Sequence, residues 1–525
     1  MPDNDPVVSV EAWGPSHTQL QEAARGLLQQ PHVRAYFKDV QHRLLSVTAI
    51  DPETKTERPG QPSRYRAVFY DYTNNRTLVA HADLNSSAAP VEVAEYGSHE
   101  LPSGEEFEAA VRVLEQHAEL GPQVRDRKLR PYRPMPPLVQ VERPDGRVER
   151  IIAVGLNHTG SPRNRIVGVN LSRATVLPHV DGLPSPSDLN CGPKADDSCP
   201  PTSGAQRATV QIKSGSTVLW EFVAVRPSAS SGTNGSGVEL QHVRYRGKQV
   251  LYRAHIPILN IQYLDGGGNC GPTYRDWENE ENCFQAVGSD PVPGFRLCTS
   301  PPQTIFDNGS DSGNFRGVAI YVDGPEVVLV SEMAAGWYRY IPIWRFHVDG
   351  TIRPRMAFSA VDNPCTCRKH HHHTYWRLDF DIETAANNLV EEYNNPILVG
   401  TSHWHKKVYE IRRPRSAAYH RKWKVSNTST GSAYELIPGA NDGNADAYGV
   451  GDLWVLRYHG NEIDDGQGFT TVPAQSIAHL DNFKSPAELV ENQDVVLWYS
   501  GHFLHDEAHP GGPHIIGPEL RPVKW

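Results

Sequence analysis

The sequence predicts a mainly β protein, a large antiparallel β-sandwich preceded by one small α+β domain. Three observations carry this. From about residue 140 onward, short alternating apolar and polar runs are separated by turn-rich loops, with few helical stripes. Helical stripes with capping signals lie before that point. Between the two stands Leu129-Arg130-Pro131-Tyr132-Arg133-Pro134-Met135-Pro136-Pro137, whose clustered prolines favour extended chain. The predicted division is a domain over 1–128, a linker over 129–144 and the sandwich over 145–525. A length of 525 residues supports more than one domain, since single cores stop growing near ~250–300 residues.

The first helix is expected over 16–30. Ser16 and Gln19 make a capping box, and Leu20, Ala23, Ala24, Leu27 and Leu28 form a helical stripe. Strands follow over Val40 to Ile50, Tyr65 to Tyr72 and Thr77 to Leu84, with Thr73-Asn74-Asn75-Arg76 as the turn between the last two. A second helix opens at Ser103, with Glu106 as its capping partner and Phe107, Ala110, Val111 and Leu114 on one face. Helix, strands and helix make the small α+β domain. Further on, 226–237 is a Ser/Gly loop. Residues 264–315 form a long excursion rich in Gly, Asn, Asp and Pro.

Composition narrows the function classes. The net charge is -10 with no long basic run, so nucleic acid and anionic membranes are poor partners. No stretch approaches the ~20 apolar residues of a membrane span. Met1-Pro2-Asp3-Asn4-Asp5 lacks the basic and apolar regions of a signal peptide, which favours the cytoplasm, or an extracellular site if a signal was removed. Sequons at Asn75, Asn157 and Asn308 are cheap by chance. Seven cysteines leave at least one without an intrachain partner. Cys191 with Cys199, and Cys270 with Cys283 or Cys298, are the expected loop closures. Cys365-Thr366-Cys367 lies just upstream of a histidine run, where thiolates can hold copper or zinc. Its spacing fits no zinc site, and disulfides or free thiols are the plainer reading.

The chemistry concentrates in Gly336-Trp337-Tyr338-Arg339-Tyr340 and in His370-His371-His372-His373. The run of histidines flows into Tyr375-Trp376-Arg377-Leu378-Asp379-Phe380-Asp381-Ile382, which alternates as a strand. Residues i and i+2 of a strand share a face, so His370 and His372 present two imidazoles together. Imidazole nitrogens suit copper(II).

These residues resemble the quinone-forming copper amine oxidases. The resemblance rests on Tyr338-x-Tyr340-x-x-x-Trp344-x-Phe346-x-x-Asp349-Gly350-x-Ile352, His370-x-His372 and Arg377-Leu378-Asp379. It extends to Leu251-Tyr252-Arg253-Ala254, Tyr263, Tyr274-x-Asp276, Asp452-Leu453-Trp454-Val455, Asp494 to Tyr499, His502-Phe503 and Leu520-Arg521-Pro522. It implies that copper and dioxygen convert Tyr338 into topaquinone, which oxidises a primary amine to aldehyde, ammonia and hydrogen peroxide. It also implies a homodimer. Asp276 takes the role of catalytic base, Tyr263 hydrogen-bonds the quinone and Tyr274 lines its pocket. The copper ligands are His370, His372 and a third, His502 preferred over His505. Asp379, the Phe380 carbonyl, Asp381 and Asp494 resemble the family's peripheral calcium site, where hard oxygen ligands suit the ion; surface carboxylates that bind nothing are the alternative.

Two residues depart from the family pattern of Asn-Tyr-Asp/Glu-Tyr. Trp337 replaces the asparagine and Arg339 the acid. The indole is expected to restrict a neighbouring ring, and the guanidinium to repel a protonated amine or recruit a carboxylate. A copper oxidase or oxygenase with Tyr338 unmodified, and a non-catalytic copper-binding protein, therefore stand beside the amine oxidase.

Overall fold

Two large, mostly antiparallel sheets face each other in a sandwich. The computed structural model describes residues 5–51, 55, 61–84, 92–96, 100–142, 148–160, 164–178, 191–196, 204–267, 270–506 and 515–525. Cys199 lies outside them. One sheet has ten strands, and at its centre Lys248–Tyr263, His370–Phe380 and Val495–His505 lie side by side. The other has thirteen and contains Tyr338–His347 beside Ile352–Ala360. Strands buried on both faces read as apolar runs with embedded polar residues, and burial over Lys248–Tyr263 is nearly continuous. The shared core is heavy in indoles, including Trp220, Trp337, Trp344 and Trp376, all fully buried. Their N–H groups need acceptors when buried. Trp344 donates to the Val238 carbonyl at 2.8 Å and Trp220 to that of His347 at 2.9 Å.

The early elements form as predicted. Ser16 and Gln19 cap His17–Leu27 reciprocally, and Ser103 and Glu106 do the same for Gly104–Glu115. The strands are His42–Ile50, Arg64–Asp71 and Arg76–Asp83. The first helix buries Leu20, Ala24 and Leu27 against this sheet.

The linker expected over 129–144 is not one. Leu129–Tyr132 and Leu138–Glu142 are strands, both paired to Val148–His158. Proline is tolerated because these strands lie at the sheet's periphery, where a missing N–H breaks no interior ladder. Helix Gly104–Glu115 packs on this sheet through Ala110 and Leu114 rather than on the earlier one. A second small α+β unit therefore stands where a spacer was expected. The boundary at residue 128 dissolves further because Val7–Ala12 pairs with Arg207–Ser214 in the ten-stranded sheet.

The disulfides also differ from expectation. Cys191 bonds Cys367 and Cys270 bonds Cys365, so Cys365 and Cys367 offer no thiolate to a metal. Both bridges close on the turn just ahead of His370. They span 176 and 95 residues, separations over which sequence carries no pairing signal. Cys283 is also disulfide-bonded, and Cys298 is free.

Asp379, Asp381 and Asp494 do converge, as the calcium expectation required. The cation among them is a side chain. Lys55 Nζ lies 2.6 Å from Asp379, 2.8 Å from Asp381 and 2.6 Å from Asp494, with the Tyr458 ring 3.9 Å from it. Phe380 is held in the sheet ladder opposite Leu251 and Val495. Burial works against the Lys55 charge, but the three carboxylates outweigh it and hold its pKa raised. Burial pushes Asp381 up to about 8 and Asp494 up to about 6, against the pull of Lys55. The calcium expectation does not fit a site that already contains an ammonium, and this ion pair fastens the first small unit to the sandwich.

Removing one partner of a buried charge cluster leaves the others uncompensated and costs about 3–5 kcal/mol. Lys55→Met is expected to lower the thermal unfolding midpoint clearly. Millimolar calcium should leave the wild type unmoved and raise the midpoint of the variant. A wild-type midpoint that rises with calcium would show that Lys55 yields the site to the ion.

Candidate metal centre

Strand alternation sends His370 and His372 inward, towards the facing sheet, and both are fully buried. The antiparallel register then selects the third histidine. His370 stands opposite His505, and His373 opposite His502. Directly opposed residues share a face, so His505 joins the inward pair and His502 does not. One nitrogen from each of His370, His372 and His505 lies within 4.8 Å of the others. His370 Nε2 is 3.0 Å from His372 Nε2 and 3.3 Å from His505 Nδ1. His502 instead lies on the opposite face, its Nδ1 2.8 Å from His373 Nδ1. The preference for His502 is thereby corrected. A separation of three places it and His505 on opposite faces of one strand.

The hydrogen bonds assign the tautomers. His370 Nδ1 donates to the Arg368 carbonyl at 2.6 Å, which leaves Nε2 with its lone pair bare. Tyr340 donates its hydroxyl to Asp276 Oδ2 at 2.5 Å and accepts from His372 Nδ1 at 3.3 Å. His372 Nε2 is therefore bare as well. Burial lowers the His370 pKa to about 3, with the His505 charge adding to it, and holds that of His372 well below normal. Neutral imidazoles with converging lone pairs are what a transition ion needs, and nitrogen ligands with outer N–H groups so oriented suit copper(II). The donor set fits the metal.

Tyr338 opens the strand Tyr338–His347 and faces these histidines from the other sheet. Gly336, at φ +60°, makes the turn before it, and a Cβ there would lie 2.5 Å from Met135. The Tyr338 hydroxyl lies 2.6 Å from that of Tyr263 and 3.0 Å from His370 Nε2. Tyr274 packs edge-on to both Tyr263 and Trp337, at 6.2 and 6.1 Å between ring centroids, and its hydroxyl donates to the Cys270 carbonyl. All the sequence-predicted pocket residues, Asp276, Tyr263, Tyr274 and Tyr338, are thus buried around one spot. Burial raises the Asp276 pKa well above the carboxylate range, opposed by the Tyr340 hydrogen bond. Burial and the Asp276 charge do the same to Glu278.

The two departures have separate fates. Trp337 is buried with its ring 6.0 Å from that of Tyr338. Arg339 does not join these residues. It forks onto Asp311 at 2.7 and 2.9 Å and also donates to the Gly336 and Tyr338 carbonyls. Alternation turns it away from its neighbour's face, and its charge is neutralised there.

Sequence reasoning gave no role to Tyr340, which joins Asp276 to His372. The signal was present, since residues 338 and 340 share a strand face. Asp311 and Glu278 carried no such signal, lying in a loop with no periodicity.

No protein-family model matches the chain. Among curated proteins it resembles Arabidopsis thaliana copper-containing amine oxidases. It is 25% identical to gamma 2 over 269 residues, and 26% identical to gamma 1 over 274 residues. Those matches cover 40% of this chain and 39% and 38% of the relatives. Primary amine oxidase 1 of the same plant is 23% identical over 58% of this chain and 60% of its own length. Among solved structures, a copper-containing benzylamine oxidase from Hansenula polymorpha superposes with a TM-score of 0.62 at 13% identity, covering 100% of this chain and 98% of its own. The Pichia pastoris lysyl oxidase gives 0.57 at 12% identity, covering 98% and 90%. The chain thus shares the fold of these solved amine oxidases and is similar in sequence, over part of its length, to several copper-containing amine oxidases.

Proposed function

We propose that the protein is a copper-dependent amine oxidase that takes a primary amine, dioxygen and water to aldehyde, ammonia and hydrogen peroxide. The observation that carries this reading is the contact of the Tyr338 hydroxyl with His370 Nε2 at 3.0 Å, beside converging nitrogens of His372 and His505 and a buried carboxyl. His370, His372 and His505 would hold the copper, and Tyr338 is the ring it would modify. Together, copper and a quinone at Tyr338 would supply the electrophile for the amine and the route of its electrons to dioxygen. The chain's own residues do the rest. Tyr263 fixes one oxygen of the Tyr338 ring by its hydrogen bond. Tyr274 and Trp337 wall the pocket and exclude water. Asp276, once ionised, takes the proton from the carbon next to the amine nitrogen. Tyr340 stabilises that ionised form, because a hydrogen bond to a carboxylate favours its charge. Partner contacts follow the family, with a homodimer expected. The disulfides favour an oxidising compartment over the cytoplasm.

A copper oxidase with Tyr338 unmodified is the second reading, and Trp337 against the ring is what favours it. Intact mass, visible spectrum and phenylhydrazine treatment of copper-loaded protein separate the two. A coloured adduct that Tyr338→Phe abolishes is expected, whereas an unmodified tyrosine with bound copper establishes the second reading. Copper content should be lost in His505→Ala and kept in His502→Ala, the reverse of which would restore His502 as ligand. The pH profile of kcat/KM should rise with pH through an acid limb well above an ordinary carboxylate's ~4. Asp276→Asn should remove about two to four orders of magnitude of rate. Tyr340→Phe, which deletes the bond favouring the ionised form, should move the limb to higher pH; a limb that stays near pH 4 in both proteins would exclude Asp276 as the base.

A further inference from the structure

The run of four histidines has a second face. His371 and His373 point away from Tyr338, through the ten-stranded sheet, towards the loop that contains Asp446. One ring nitrogen from each and a carboxylate oxygen of Asp446 lie within 4.8 Å of one another. We propose that His371, His373 and Asp446 form a second metal site for a divalent ion of the zinc type, back to back with the copper centre.

Three observations point to a ligand there. First, His373 is fully buried, and its Nε2 has no hydrogen-bond partner among the described residues. Its other nitrogen is engaged. His502 Nε2 lies 2.9 Å from the Gly451 carbonyl and so carries the proton. His373 Nδ1 lies 2.8 Å from His502 Nδ1, so Nε2 is the nitrogen left for an ion. Metal-binding histidines are oriented in this way, one nitrogen donating outward and the other left for the ion. His502 thus acts as the positioning residue of the second site.

Second, the loop is built to approach. The Tyr448 and Gly449 N–H groups donate to Asp446 Oδ1, at 2.8 and 2.5 Å, while Oδ2 stands 3.6 Å from His371 Nδ1. A Cβ on Gly449 would lie 2.3 Å from the His373 ring, so only glycine lets the loop close over that imidazole. Third, the site is reachable. The side chains of His371 and Asp446 are 26% and 38% exposed, while His373 sits beneath them. Two imidazoles and a carboxylate are a common zinc donor set, with a fourth position left open.

Metal-free full-length protein, dialysed with zinc and then assayed for bound zinc, provides the test. Zinc is expected at both histidine faces, giving two equivalents in the wild type. His371→Ala and Asp446→Ala, at part-exposed positions, should each lose one equivalent or bind it at least tenfold more weakly. His370→Ala should lose the other. Zinc should also raise the unfolding midpoint of His370→Ala, and raise it less in His370→Ala combined with Asp446→Ala. Zinc stoichiometry and affinity unchanged in both His371→Ala and Asp446→Ala would overturn the site. So would a single wild-type equivalent that only His370→Ala removes. A single equivalent lost only in His371→Ala and Asp446→Ala would uphold this site and count against the copper centre instead.

Discussion

The pairing of His370–Phe380 with Val495–His505 governs every histidine near the middle of this molecule. Its antiparallel ladder places His505 across from His370 and His502 across from His373. Because side chains alternate along both strands, a slip of one residue would exchange the two sets of imidazoles between the faces of the sheet. The register is held by buried apolar pairs further along, such as Leu378 with Leu497 and Trp376 with Tyr499. The core thus decides, at a distance, which histidines can meet Tyr338.

The side chains packed around Tyr338 carry almost no fixed charge. Burial keeps His370 and His372 neutral, and it raises Asp276 and Glu278. Arg339, the one guanidinium next in sequence to Tyr338, is folded back onto Asp311. Unpaired charge in a dry interior is costly. A cation brought to the three imidazoles would therefore be the dominant field in the pocket, acting at low effective dielectric on Tyr338 and, through Tyr340, on Asp276.

Much of this was legible in the residues. Alternation alone put His370 and His372 together, and ordered motifs from Leu251 to Pro522 gave the sandwich and the place of Tyr338. What failed depended on distant pairing. His505 could be separated from His502 only by the register, and a strand's parity is invisible until its partner is known. Cys367 and Cys365 found Cys191 and Cys270 across most of the fold. The carboxylates of Asp379, Asp381 and Asp494 do gather as the resemblance implied. Nothing in their own neighbourhood could announce a lysine arriving from position 55. The proline-rich segment misled for a local reason: proline excludes a strand interior but not its margin.

Those same rules explain why the histidine run is no simple surface patch. A solvated patch would leave its imidazoles exposed, yet three of the four are fully buried and each of these has one nitrogen tied to a named acceptor or partner. Buried imidazoles fixed through one nitrogen are oriented at a desolvation cost, and such orientation is what a metal ligand requires. A four-histidine strand between a tyrosine-bearing sheet and a glycine-gated loop repeats that arrangement on both faces. The inward set meets Tyr338 and the outward set meets Asp446. One backbone ladder therefore orients both sets, and displacement of the strand from either side would disturb the other.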